Sequence, residues 1–545
     1  MSFKKTNISY KDSGLFSKVL MDYVGGDAKL KPFYEYTPTI SSFGEAIKTV
    51  GKYDYSRKIL VDSLKEYYNR NAPGLASDAT LKNIQKLEDA TCFTVTTGHQ
   101  LCLFTGPLYF VFKIITAINL AEKLNKEYPD NYFVPVYWMA SEDHDFAEIN
   151  HANLFGKKVE WNIDGIGGPV GKLPLTSFPP TIEALFAIMG DGETNKELKE
   201  IISDSYSGEK TLAEATFSFV NALFGRFGLV IVEPDNANFK KLFAPIITDE
   251  LVNGNSFKLV NETNKKLVGA GVEPQVHARE INLFYVDENG RNRIEESPIA
   301  VRADPRVRPY KITNTNTAFT QDEIIDLVKS SPEKLSPNVI LRPLYQQSIL
   351  PNVAYIGGPA EIAYWLQLKN VFENYKIPFP VLMPRNSALI INKSVAQKMS
   401  KLNIEVVDLF KETEALIKEV ITGSIDGLPD FASENEKLKD IYSSIGSKVK
   451  EIDPTLVAFT EAELQKQVNA LKTLETKLLR VKKQKEETSV AQIRKLKETL
   501  FPNGSLQERT ENFIPFYLQH GGEFFDSLKA NFDPFDFSVS VLIEE

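Results

Sequence analysis

Between residues 91 and 390 short apolar runs alternate with amphipathic stretches, and this alternation limits the possible folds more than any other feature. Runs rich in β-formers and bounded by Gly, Pro or polar residues read as strands, and the stretches between them as helices crossing over a largely parallel sheet. Strands are expected at 92–97, 132–139, 228–233, 338–342, 352–356 and 379–383, several of them buried on both faces. A helix-like run over 108–124 between the first two completes one βαβ unit. The pattern predicts an α/β fold with a Rossmann-like parallel-sheet core over 1–400. Two stretches break the alternation, about 155–225 with Gly165 to Gly171, and about 255–335 with a hairpin near Asn289-Gly290; both read as connecting segments inserted into the core.

Beyond Ile391 the strand signal fades and Lys/Glu-rich helical patterning takes over, which predicts a C-terminal α-helical coiled-coil arm over 401–510. Leu464, Val468, Leu471, Leu474, Leu478 and Val481 form one apolar stripe and Leu409, Thr413, Leu416 and Val420 another, so the two helices are expected to pair, with a break near Asp453-Pro454. Dimerisation is the expected role of the arm. The aromatic tail over 511–545 is expected to pack back on the core.

Composition excludes some classes. Sixty-three basic against 72 acidic residues give a net charge of −9, which offers no global attraction to nucleic acid or anionic membrane. No run reaches the roughly 18 apolar residues of a membrane span, and no secretory signal is visible at the N-terminus. The two cysteines are too few for a disulfide framework, which fits a reducing cytoplasm.

In an open parallel sheet ligands bind beyond the carboxyl ends of the strands, so the turns leaving the strands are the places to search. The first holds Gly98, His99 and Gln100, then Gly106-Pro107 ahead of a helix, with Lys113 able to reach back. Free N–H groups after a glycine favour phosphate, and His99 is a candidate for stabilising transferred charge; a tight turn and a solvated lysine are the plain alternative. The second reads Ser141-Glu142-Asp143-His144-Asp145 with Glu148 and His151 beyond. A helix starting here would align His144, Glu148 and His151 on one face for a divalent metal, although Ser141 as cap and first-turn acids as dipole partners explain the same residues. The third, Gly358-Pro359-Ala360-Glu361, places Glu361 where it suits a substrate ammonium, or merely the helix dipole. Arg342, read as the end of a strand, and Arg385 are candidate clamps for carboxylate or phosphate. His277 and Arg279 precede a further strand, and four of the five histidines fall in or beside these segments.

Taken together, TGHQLCLFTGPLYFVFKI at 97–114, YWMASEDHDFAEIN at 137–150, REINLFY at 279–285, RPLYQQSILPNVAYIGGPAEIAYW at 342–365 and PRNS at 384–387 resemble the BshC family of bacillithiol synthesis, in an order that spans nearly the whole chain. The resemblance implies a Rossmann-like core related to class I synthetases, connecting-peptide insertions and a coiled coil used in dimerisation. It also implies a ligase that joins the carboxyl of L-cysteine to the amine of glucosaminyl-malate. The carboxylate must first be activated, for which ATP, with Mg2+, is the expected cofactor, through an adenylate or an acyl phosphate. Gly98, Gln100, Gly106 and Lys113 would then bind the nucleotide, with His99 neutralising developing charge. Asp143, His144 or Asp145 would orient an ammonium or take the amine's proton; Gly358 and Glu361 would hold an amine, and Arg342 or Arg385 the malate carboxylates. No protein-bound metal is expected. The alternatives are a non-catalytic coiled-coil scaffold and a metallohydrolase built on His144, Glu148 and His151; a tRNA-acting enzyme is disfavoured by the acidic total.

Overall fold

The computed structural model describes residues 2–545 apart from 164–166, 289, 296–298, 303, 305–306, 424–430 and 486. The chain divides into two compact units, one of residues 1–389 with 505–543 and 545, the other of residues 390–504 with 544.

A five-stranded parallel sheet forms the centre of the first unit: β1 (Cys92–His99), β2 (Tyr132–Met139), β3 (Val230–Val232), β4 (Asn352–Gly357) and β5 (Val381–Pro384), in the spatial order β5-β4-β1-β2-β3. Every residue of β1 is buried, as a strand covered on both faces requires. The helix α1 (Tyr109–Glu127) crosses from β1 to β2 and packs Ala117, Leu120, Ala121 and Leu124 against Phe93, Phe133, Val353 and Ile356. Burying each large apolar side chain in this layer contributes about 1.5–3 kcal/mol. The chain runs outward from β1 to β3, then returns to the other side of β1 for β4, so the strand order reverses between β1 and β4. That reversal opens a crevice at the carboxyl ends of these two strands.

The expected strand at 338–342 does not form. Asn338 caps a turn by accepting from the N–H groups of Ile340 (2.9 Å) and Leu341 (3.4 Å), and Arg342 opens the helix α3 (Arg342–Ile349) with Pro343 in its first turn. Arg342 is thus the start of a helix, not the end of a strand. Asn289 and Gly165 lie outside the described residues; the strands flanking the former, Leu283–Asp287 and Gly290–Arg293, pair antiparallel, and Leu335–Pro337 adds a third strand beside Leu283–Asp287.

Residues 505–543 return to the first unit. Phe532 packs edge-on against Phe112 of α1, and Asn119 Nδ2 donates to the carbonyls of Lys529 (2.8 Å) and Phe532 (2.7 Å).

The second unit is helical: α5 (Thr413–Gly423), α6 (Ala432–Ile452), α7 (Val457–Lys485) and α8 (Glu487–Leu500). Helix α7 packs on α6 rather than on the helix that follows Leu409, because Asp453-Pro454 turns α6 straight back into α7, and Leu474 and Val481 of its expected stripe stay exposed; α5 packs on α8 instead. Ile441, Ile452, Leu456 and Phe459 of the α6–α7 hairpin stay largely exposed. Among the described residues no helix is long and apolar enough to cross a membrane.

Candidate active site

A cavity of about 850 Å³ fills the crevice beyond β1 and β4. Its wall carries Gly98, His99, Gln100, Lys113, Asp143, His144, Arg342, Gly358, Glu361 and Arg385, so the three strand-exit turns converge on one space. Gly106 and Asp145 are not on that wall.

The first and third turns are joined by a buried ion pair. Lys113 projects from α1, is 4% exposed, donates to the carbonyl of Gly98 at 2.8 Å and pairs with Glu361. Glu361 sits in the first turn of α4 (Pro359–Trp365), where it also accepts from Tyr355 Oη (2.6 Å) and the N–H of Gly358 (2.8 Å). Burial works against its ionisation, but the Lys113 charge and these hydrogen bonds hold the carboxyl below its ordinary range. Lys113 is therefore not a solvated face residue, and Glu361 is not an open ammonium site: its charge is already matched.

The helix start at Gly106 does not cradle phosphate either. Helix α1 begins at Tyr109, the N–H of Leu108 donates to Glu511 O (2.7 Å) and that of Phe110 to Pro107 O (2.9 Å), so these amides are taken. Gly106 has φ +67°, its carbonyl accepts from Asn512 Nδ2 at 2.6 Å, and a Cβ there would lie 2.4 Å from Cys102 Cβ. Its glycine serves a tight turn packed against Cys102.

At the second turn no helix runs from Ser141 to His151. Helix α2 (Phe146–Ile149) is a single turn capped by Asp145, and His151 belongs to a strand, His151–Leu154. Only His144 and Glu148 of the expected metal face line the cavity, and among the described residues no group of three or more His, Cys, Asp or Glu side chains could hold a metal. Ser141 caps nothing; its hydroxyl donates to Glu233, just past β3, and Glu142 pairs with the fully buried Lys240. The turn is also sewn to the following segment by Gly171 N to Ser141 O (2.9 Å) and Val170 N to Asp143 O (2.7 Å).

Gln100 bridges the first two turns, donating to Asp143 (2.7 Å) and Glu148 (3.0 Å). Burial tends to raise the Asp143 carboxyl, but the neighbouring His144, through its backbone N–H, the Gln100 amide and the Arg291 charge hold it far below the usual carboxylate range. Arg291 donates through Nη1 to His144 Nδ1 at 2.9 Å, through Nε to Ser336 Oγ (3.1 Å) and through Nη2 to Pro337 O (3.0 Å), with its guanidinium stacked on Phe284. On the other wall His99 Nδ1 meets the carbonyl of Gln100 at 2.9 Å.

The two arginines differ. Arg385 is buried, with Nη2 on Glu508 (2.6 Å) and Nη1 on Asn386 O (3.0 Å); Glu508 is completed by Ser387 Oγ (2.8 Å) and Ala388 N (2.9 Å). Among the described residues Arg342 is held by neutral partners alone, Gln346 Oε1 (3.2 Å) and Tyr364 Oη (2.9 Å). Five arginines and Lys113 on the wall face four carboxylates among the described residues, and Lys240 and Glu508 behind it cancel each other, so cations lead by two.

Sequence reasoning did not single out Arg291, Tyr109, Tyr355, Tyr364 or Arg509 on the wall, nor Lys240 and Glu508 behind it. Tyr364 carries a signal, three residues after Glu361 and so on the same helix face. Arg291, Lys240 and Glu508 carry none, since each reaches the site only through tertiary packing.

The model of the N-terminal Rossmann-like domain of bacillithiol biosynthesis BshC matches residues 1–386, and that of its C-terminal coiled-coil domain matches residues 388–544. The chain belongs to the BshC family. Full-length relatives agree: it is 42% identical over 538 residues to a protein of Flavobacterium psychrophilum, covering 98% of each chain, and 40% identical over 540 residues to one of Flavobacterium johnsoniae, covering 98% of this chain and 99% of the other. A protein of Cytophaga hutchinsonii is 35% identical over the full length of both. All three bear the name "Putative cysteine ligase BshC". The Rossmann-like sheet and the helical domain expected of a BshC protein are both present.

Proposed function

We propose that this BshC-family protein joins the carboxyl of L-cysteine to the amine of glucosaminyl-malate, the cysteine-addition step of bacillithiol synthesis. The observation that carries this reading is the cavity at the strand-order reversal, where, among the described residues, the half-buried Arg342 has no carboxylate partner and cations lead by two. Such a wall favours a substrate bearing two or more negative charges, as a malate moiety or a phosphate chain does. Arg342 is the anion receptor. Arg385 is committed to Glu508, so it adds field rather than a bidentate clamp.

A carboxylate does not acylate an amine at neutral pH, and ATP, with Mg2+, is the co-substrate that supplies the activation. The donor set fits a polyanion through side chains, Arg342 and Arg509 on the wall with Lys113 behind Gly98, rather than through a glycine-rich loop. Gly98, His99 and Gln100 border the same wall, while Asp143 and His144 present a carboxylate and an imidazole to an incoming amine. Two buried, unpaired cysteine thiols fit a reducing cytoplasm. The exposed apolar residues of the α6–α7 hairpin favour pairing with a second copy of the chain.

Incubating the protein with glucosaminyl-malate, L-cysteine and Mg-ATP, omitting each in turn, tests the reading by mass spectrometry. The expected result is bacillithiol that requires all three, with AMP marking an adenylate and ADP an acyl phosphate. A product that forms without the protein's Arg342, or none at all from the intact protein, overturns it and favours a scaffold role for the helical arm.

A further inference from the structure

Three imidazoles line the cavity, and the fixed partners of two of them, His99 and His144, differ in kind. A guanidinium carries only donors, so the 2.9 Å contact from Arg291 Nη1, much closer than the 3.5 Å to Asp143 Oδ1, makes His144 Nδ1 an acceptor and leaves the ring proton on Nε2. A carbonyl oxygen only accepts, so the 2.9 Å contact with Gln100 O makes His99 Nδ1 the donor and leaves a lone pair on Nε2. Neither orientation is loose. All three nitrogens of the Arg291 fork are engaged and its Cζ lies 3.8 Å from the Phe284 centroid, which fixes the donor to the half-exposed His144 ring, while His99 is 8% exposed and packed edge-on against Phe110.

From this geometry we infer that the two histidines are locked in opposite tautomers, His99 presenting a proton acceptor and His144 a proton donor to the reacting groups, with Arg291 as the positioning residue for His144. Resting on the ligase reading above, the division of labour follows. The amine nitrogen forms a bond to the activated carbonyl carbon. The bond from that carbon to the phosphate-bearing leaving group breaks with its electron pair. The proton shed by the nitrogen passes to His99 Nε2, and His144 Nε2–H donates to the oxygen on which negative charge develops.

Burial first, and then the Lys113 charge, pull the His99 imidazole down to about 4, so its ring is neutral in the resting site. It takes a proton only as bond formation turns the amine into a strong acid, and it does not supply the cationic charge stabilisation that its place in the first turn had suggested. The Asp143 carboxylate, held ionised and already accepting from Gln100 and the N–H of His144, is a poor proton acceptor by comparison.

The direct test is a long-range proton–nitrogen correlation spectrum of the full-length protein labelled at its five histidines, recorded near neutral pH and assigned with His99→Gln and His144→Gln. The expected spectrum shows His99 protonated on Nδ1 and His144 on Nε2, and Arg291→Ala releases His144 into tautomer exchange without moving the His99 signals. His144 found protonated on Nδ1, or His99 on Nε2, overturns the assignment whatever the protein's activity. On the ligation assay His99→Gln should lower kcat by about a hundredfold with KM little changed; His144→Gln, which keeps a donor, should retain more activity than His144→Ala. Equal loss in His144→Gln and His144→Ala overturns the donor role even if the tautomers stand, whereas an inactive wild-type protein with the expected spectrum removes the ligase reading alone.

Discussion

Lys113 and Glu361 come from different turns and meet in a place where neither can be left alone. Removing one partner of a buried pair strands the other's charge, which costs about 3–5 kcal/mol. Lys113→Met should therefore lower the denaturation midpoint of the first unit sharply, and adding Glu361→Gln should recover part of the loss; denaturant unfolding of the single and double variants measures this, and additive losses would contradict the pairing. Arg342 poses the opposite case, since its partners are neutral and its charge faces the cavity. Arg342→Ala should cost about 1.5–3 kcal/mol of binding, a rise in KM of roughly ten- to a hundredfold for the anionic substrate, with little change in thermal stability. Arg385→Ala should instead destabilise the fold, because it leaves Glu508 buried without its cation. The chemistry of these residue types was legible in the sequence, but which arginine is compensated was not, because Glu508 stands more than a hundred residues from Arg385 along the chain.

At the scale of elements, the turns that leave β1, β2 and β4 decide what the site can do. The β1 exit contains two glycines with different duties. Gly106→Ala should be poorly tolerated, since a left-handed backbone costs about 1–2 kcal/mol before the 2.4 Å approach to Cys102 Cβ is counted. A Cβ at Gly98 would meet Arg342 Nη1 and Tyr355 Oη at an ordinary 3.4 Å, so Gly98→Ala should fold and show its effect in substrate KM. Thermal melts and steady-state kinetics of the two variants separate these outcomes. The β2 exit is anchored by Ser141 on Glu233, whose carboxyl is pushed up to about 8 by burial and by Asp235. The unfolded chain releases that proton near 4.5, so between pH 4.5 and about 8 the folded state alone keeps it. Stability from this group is thus complete below the window and is lost as pH rises through it. Melting temperature should fall across that range, and Glu233→Gln should flatten the fall; an unchanged slope would show that Glu233 does not carry it. The exits themselves were found from Gly, Pro and acid placement, whereas the helix expected after Ser141 was not, because the side chain that would have capped it bonds to Glu233 instead.

For the whole molecule, the chain leaves the first unit at Leu389 and comes back at Ser505. The returning segment supplies Glu508 behind the cavity wall, Arg509 on it, and Asn512, whose Nδ2 holds the carbonyls of Phe104 (2.9 Å) and Gly106 (2.6 Å) in the strained turn ahead of α1. A chain stopped after Gly504 should consequently fail to give a cooperatively folded first unit, with poor solubility and early protease cleavage, even though the whole parallel sheet is present. A protease-resistant first unit from that truncation would contradict this dependence.

The parallel sheet, the helical character beyond Ile391 and the three strand exits were determined by local sequence, because burial on both faces imposes apolar runs and turns impose Gly, Pro and capping residues wherever they occur. Packing decided the rest. Which carboxylate neutralises which cation and the orientation of His144 depend on groups far apart in the chain whose charges and hydrogen bonds must be satisfied once water is removed, and a linear sequence records no such proximity.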